Sequence, residues 1–203
     1  KERIRKIRSS MSLYKEITIG QFQDIQAIDK ELTSFEKVVY CVSILKGITY
    51  DDALKMPRND FDKMADEYSK VDFHKWNSHR ILDKIKIGND IYNIQADPRK
   101  INAGQLLDNI NLLKDNSGQP IKIMDQRLAT IMKCDKIQHQ TLAERAALVR
   151  DVPLHLLYTT HIFFFNRWNL YYPNTEVFLA QRMEAMLKVS KEILAAGGDY
   201  SPS

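Results

Sequence analysis

The sequence predicts a mainly α-helical fold in which two helical units flank a central β-hairpin. Three observations predict it: capping residues stand where helices would begin, the apolar spacing changes from 3.6 to 2 in mid-chain, and one eight-residue pattern occurs on both sides of that change. We divide the chain into a basic N-terminal arm, helical unit A, the hairpin, helical unit B, and a C-terminal helix with its tail, at residues 1–12, 13–83, 84–97, 98–172 and 173–203.

Capping pairs predict the helices of unit A. A Thr before the first turn, with Gln, Glu or Asp three residues later, satisfies the free amides there. Three pairs have this spacing: Thr18 with Gln21, Thr33 with Glu36, and Thr49 with Asp52. The apolar face of the first helix is predicted to run from Phe22 through Ile25 and Ile28 to Leu32. The second helix should end at Gly47 and the third at Pro57, and apolar spacing from Phe61 to Tyr68 predicts one more short helix.

Between Lys84 and Ile94 the apolar residues alternate with polar ones. Ile85 and Ile87 precede Gly88-Asn89, a dipeptide typical of tight turns, and the alternation resumes after it. The pattern predicts a β-hairpin that Asp97-Pro98 ends.

Helical spacing returns in unit B and continues beyond it. The predicted helices span Asn102 to about Lys114, Asp125 to Lys133, Thr141 to Arg150, Leu154 to about Tyr171, and, in the C-terminal segment, Thr175 to Ala196.

The pattern I-x-x-G-Q-x-x-D occurs at residues 17–24 and again at 101–108. An apolar helix follows each copy, and then a helix with an acidic start, which runs into Pro57 in one unit and Pro153 in the other. We interpret this order as an ancient duplication of residues ~13–70 and ~99–172. The alternative is that helix caps converge on similar residues.

The net charge of +4 resides in the N-terminal arm. Five of the 30 basic residues but only one of the 26 acidic residues lie within residues 1–10, so the rest of the chain is neutral. Clustered basic side chains are typical of phosphate binding. The candidate phosphate contacts are Lys1, Arg3, Arg5, Lys6 and Arg8.

Residue types that carry chemistry do not assemble into a pattern typical of a catalytic or metal site. Cys41 and Cys134 have no Cys or His at ligand spacing, and we interpret both as reduced core residues. His74 and His79 are five residues apart and His155 and His161 six apart, which places neither pair on one helical face. We expect no enzyme activity, no metal and no cofactor. The chain has no apolar run of about 18 residues, so we expect no membrane contact either.

The helix predicted from Leu154 carries three consecutive phenylalanines. Successive helical side chains diverge by about 100°, so the three cannot all face one core. One interpretation is a central helix buried on every side. The other is a helix that offers aromatic and Arg anchors to another subunit. The candidate interface residues are Phe163, Phe164, Phe165, Arg167, Trp168, Tyr171 and Tyr172.

The order of these features resembles tailed-bacteriophage proteins of the tail-assembly-chaperone type and small helical virion proteins related to them. The likeness covers about residues 13–170, in the stretches ITIGQFQDI, FEKVVYCVSILKG, ALKMP, IKIGNDIYNI, INAGQLLD and IFFF. The resemblance implies no catalytic residues. It implies contacts with other phage structural proteins or with further copies of the chain, in the host cytoplasm during assembly or in the virion.

The leading hypothesis is therefore a non-enzymatic phage virion or assembly protein that acts through protein contacts. The alternative is a nucleic-acid-associated protein that uses its basic arm, and an unrecognised enzyme is a third class. The neutral body separates the first two, because a protein that binds nucleic acid through its core usually has a basic face.

Overall fold

The computed structural model describes residues 17–69, 71, 80–116, 119–135 and 140–172. These residues form eight α-helices and a three-stranded antiparallel sheet, which confirms the predicted mainly helical class and the hairpin. Helices α1 to α4 precede the hairpin at Ile19–Gln26, Ser34–Lys46, Tyr50–Leu54 and Arg58–Ser69. Helices α5 to α8 follow it at Ala103–Asp115, Met124–Ile131, Leu142–Arg150 and Leu154–Tyr171. The arm and the predicted C-terminal helix lie outside the described residues.

Reciprocal capping boxes begin four of these helices. At α1 the Thr18 hydroxyl accepts the Gln21 amide at 3.2 Å, and Gln21 Oε1 accepts the Thr18 amide at 3.0 Å. The same exchange occurs at α2, α5 and α7, between Thr33 and Glu36, Asn102 and Gln105, and Thr141 and Glu144. These local signals therefore predicted the helix starts correctly.

Two predicted helical extensions were wrong. Helix α1 ends at Gln26, with Ala27 as its C-cap, so Ile28 and Leu32 lie beyond it, and the chain turns there before the Thr33 capping box. Helix α6 ends at Ile131, whereas the prediction continued it to Lys133. The reason is tertiary: strand β3, Met132–Lys133, pairs with the hairpin.

The hairpin joins β1, Lys84–Ile87, to β2, Asp90–Ile94. Ile87 lies opposite Asp90, and Gly88 adopts a φ of 59°, the left-handed conformation that a side chain would strain. On its other edge β2 pairs with β3, where Ile94 lies opposite Met132. A 3-10 turn at Pro98–Lys100 leads from the sheet to α5.

The main hydrophobic core joins parts of both units. Buried side chains of α1 and the hairpin pack there with those of α5 to α8, among them Phe22, Tyr92, Leu128 and Trp168. Helices α2, α3 and α4 have a smaller core of their own around Val39, Val42 and Ala53. The first helix of unit A is thus built into the core of unit B.

Main-chain and side-chain hydrogen bonds hold α1 in this position. The Ile19 amide donates to Val152 O at 3.0 Å, and the Leu154 amide donates to Ile17 O at 2.8 Å. The buried Gln23 amide group donates to Asp125 Oδ1 at 2.8 Å. On the surface beside it, Arg150 Nη2 donates to both carboxylate oxygens of Asp24, at 2.8 and 3.0 Å. These contacts connect segments more than 100 residues apart in sequence.

Units A and B each contain four described helices. One side-chain contact occurs in both units, between the Gln of the first helix and a later helix. Gln21 donates to the carbonyl oxygens of Ile44 and Leu45 in the last turn of α2, and Gln105 donates to that of Thr130 in the last turn of α6. Duplication remains a prediction, because convergent caps would produce the same contacts.

Candidate protein interface

Helix α8 buries one face and leaves the rest of its surface partly open. Its fully buried side chains follow helical spacing and are Leu154, Leu157, Thr160, His161, Phe164 and Trp168. Leu156 and Leu170 are exposed, and Phe163 and Arg167 are half-buried. The helix therefore combines the two arrangements that the sequence left open.

Arg127 of α6 contacts two of the three consecutive phenylalanines of α8. This arginine is fully buried, and its guanidinium carbon lies 5.4, 5.0 and 5.8 Å from the ring centroids of Phe164, Phe165 and Trp168. An arginine over an aromatic face is attracted by the ring's quadrupole. Two of the three phenylalanines therefore serve to cage a cation inside the protein.

The cage stands in place of an ion pair. Among the described residues Arg127 has no carboxylate partner, and only its Nε contacts a polar side chain, Asn109 Oδ1, at 3.5 Å. Burial lowers the pKa of the guanidinium to about 10, because the charged form is poorly solvated there. Asn109 also donates to Gln105 O at 2.9 Å, which connects the cage to the capping box of α5.

His161 is buried in the same region, and its ring stacks 6.4 Å from that of Phe165. Burial, and then the nearby Arg127 charge, lowers the pKa of His161 to about 3. The imidazole is therefore neutral at physiological pH.

A flank of α8, beside its buried face, presents aromatic and cationic groups. Arg167 lies over the Phe163 ring at 5.2 Å and donates to the Tyr171 hydroxyl at 2.8 Å. Arg99, from the 3-10 turn, covers the Tyr171 ring at 5.1 Å. Leu170 is 66% exposed beside them. We call Phe163, Arg167, Leu170 and Tyr171 the outer face of α8.

The structure divides the seven predicted interface residues. Phe164 and Trp168 are 1% and 0% exposed, so in this conformation neither offers surface to a partner. Phe165 is half-buried against Arg127, and Tyr172 packs on Trp168 with 4.8 Å between ring centroids. Phe163, Arg167 and Tyr171 belong to the outer face. The five basic residues proposed to contact phosphate lie outside the described residues.

Sequence reasoning missed Arg127 and Leu170. A lone arginine in a helical pattern is normally assigned to solvent, and no local signal reveals an aromatic cage supplied by α8. Leu170 could have been found, since it follows Phe163 and Arg167 at helical spacing on one face.

The described residues contain no group of three or more His, Cys, Asp or Glu placed to hold a metal ion. His74 and His79 lie outside them. Within the described part of the chain Cys134 is buried and Cys41 half-buried, and both are free thiols. Burial raises the pKa of Cys41. No helix in the described ranges is long and apolar enough to cross a membrane.

The chain matches no family model, and no curated protein and no solved structure is significantly similar to it. The resemblance to phage proteins therefore remains a prediction from the sequence.

Proposed function

We propose that this protein is a non-enzymatic structural or assembly protein that binds other protein subunits through the outer face of α8. The observation that carries the proposal is the exposed Leu170 flanked by Arg167 and Tyr171. Arg and Tyr are the residue types enriched at the energetic centres of protein interfaces.

Preorganisation supports this use of the outer face. Phe163 and Tyr171 already fix the Arg167 side chain, through a cation–π contact and a hydrogen bond. Ordering such a side chain on binding costs about 0.5–1.5 kcal/mol, and much of that cost is met before a partner arrives. The ordered Arg167 side chain therefore supports a role of the outer face in binding a protein partner.

Substitution of Leu170 tests the outer face. Leu170→Asp should leave the fold intact, because the side chain is mostly exposed, and should weaken self-association at least tenfold in sedimentation velocity. Leu107→Asp is the matched control, since Leu107 is 55% exposed on α5. Two results would contradict self-association through the outer face. One is that the wild type and both variants associate equally, and the other is that the wild type is a monomer.

The phage assignment rests on the sequence resemblance alone, and particle composition tests it. A permanent virion protein is present at fixed copy number in purified particles, whereas an assembly chaperone is present in infected cells and absent from particles. Quantitative mass spectrometry of both fractions distinguishes the two. Absence of the chain from both fractions contradicts the assignment.

The second candidate function is nucleic-acid association through the arm, and the +4 charge of residues 1–10 favours it. Clustered Lys and Arg bind phosphates with release of counterions, so DNA affinity should fall steeply with salt. Neutralising Arg3, Arg5 and Arg8 to Gln should abolish that affinity. Salt-sensitive binding that survives these substitutions contradicts this role.

A further inference from the structure

A second surface lies on α2 and α3 and combines aromatic, apolar and acidic groups. Tyr40 and Tyr50 pack with their ring centroids 4.6 Å apart. Tyr40 is 38% exposed, and Leu54, one helical turn after Tyr50, is 49% exposed. We call Tyr40, Tyr50, Leu54 and the adjacent carboxylates of Glu36 and Asp51 the tyrosine patch.

The charges of both carboxylates act on the Tyr50 hydroxyl. The pKa of the Tyr50 hydroxyl is raised by burial first and then by Glu36, Tyr40 and Asp51. Partly exposed aromatic faces beside carboxylates attract Lys and Arg side chains through cation–π and ionic contacts.

The segment that begins at Tyr50 is acidic as well. Residues 50–69, which include α3 and α4, contain six acidic and three basic side chains, a net charge of −3. Lys37 follows Glu36 on α2, but its ammonium group donates to Lys30 O at 2.7 Å. The surface therefore suits a basic partner that also has apolar side chains.

Residues 1–10 of this chain have that composition. The segment KERIRKIRSS places Ile4 and Ile7 among five basic residues. Its charge of +4 is opposite in sign to the −3 of residues 50–69, whereas the remaining residues of the chain carry +3. We propose that the basic arm of one copy binds the tyrosine patch of a second copy, with arginine or lysine over Tyr40 and isoleucine against Leu54.

Such a contact joins two different surfaces, so each copy would present one free arm and one free patch. Contacts of this kind form rings or open filaments rather than closed two-fold dimers. This proposal goes beyond the α8 contact, because it concerns another surface and names its occupant.

Complementation between two variants tests the proposal. One variant carries a neutralised arm, with Arg3→Gln, Arg5→Gln and Arg8→Gln. The other carries a reversed patch, with Asp51→Arg and Leu54→Arg, both at exposed positions of α3. Both are full chains in the Leu170→Asp background, so that the outer face of α8 does not contribute.

Each variant alone should sediment as a monomer, whereas an equimolar mixture should form a one-to-one dimer, because one intact arm then meets one intact patch. Raising the salt from 0.05 to 0.5 M should weaken that dimer at least tenfold. A mixture that remains monomeric overturns the proposal. The arm would then bind its own chain, or nucleic acid, instead of a second copy. Association of either variant alone overturns it too, and circular dichroism checks that both are folded.

Discussion

Arg127 is a buried charge stabilised by aromatic rings instead of a carboxylate. Moving a guanidinium from water into a protein costs several kcal/mol, and each well-placed ring returns about 0.5–2 kcal/mol. Three rings surround Arg127, and all three come from one turn and a half of α8. The sequence did not reveal this cage, because its two sides are more than 35 residues apart.

The buried His161 makes the stability of the fold dependent on pH. Its pKa is about 3 in the folded protein, whereas the ordinary value is 6.5. Between these values the unfolded chain binds a proton that the folded protein does not, so stability falls as the pH decreases. The loss should be roughly 2 kcal/mol between pH 6.5 and 5.

Urea titrations at pH 6.5 and pH 5 measure the loss of stability in the wild type and in His161→Gln. The Gln side chain does not titrate, so this variant has no such proton to bind. The variant should be less sensitive to pH than the wild type by that amount. Equal sensitivity of the two proteins would show that His161 titrates normally.

The two motif glycines occupy different surroundings, although each stands one residue before a capping Gln. A Cβ added at Gly20 would lie 3.2 Å from Cβ, Nε and O of Arg150, whereas one at Gly104 would meet only Asn102 Oδ1, at 3.4 Å. Gly20→Ala should therefore displace Arg150 and destabilise the fold by about 1–2 kcal/mol. Gly104→Ala should be neutral or stabilising by up to about 1 kcal/mol, because alanine favours helix. Thermal unfolding of the two variants measures the difference, and equal losses contradict it.

At the scale of elements, local signals predicted what local interactions determine. The Thr18, Thr33, Asn102 and Thr141 caps each involve residues three apart, and all four lie where the sequence placed them. Strand β3 could not be predicted, because two residues form a strand only when β2 offers its edge. The outer face of α8 was predicted in part, since helical spacing groups Phe163 with Arg167 but cannot say which side of a helix the core covers.

The caps of α1 and α5 should contribute measurably to stability. Thr18→Ala and Asn102→Ala should each cost about 1 kcal/mol, since each removes a side-chain acceptor for a first-turn amide. Thr18→Ser is the control, because it keeps the hydroxyl and should stay within about 0.5 kcal/mol of the wild type. Denaturant titrations in which both alanine variants match the wild type would refute this contribution.

At the scale of the molecule, the two cores differ in how completely they exclude solvent. Seven of the eight residues of α6 are buried, and α4 has none. Local opening is easiest where few side chains are buried. Hydrogen–deuterium exchange should therefore be fastest in peptides covering residues 58–69 and slowest in those covering 124–131. Equal protection of the two, after correction for intrinsic rates, would contradict this order.

The pairing of Ile17 and Ile19 with Val152 and Leu154 bears on how the chain folds as it is synthesised. Helix α1 is made before the other described helices, yet its backbone partners are made more than 130 residues later. Contacts of such long range must wait for the intervening chain and slow folding. At ribosomal rates of about 5–20 residues per second, the apolar side of α1 stays without those partners for roughly 7–27 s. We expect the nascent chain to expose Ile19 and Phe22 during that interval and so to offer an apolar segment to chaperones that hold unfolded chains.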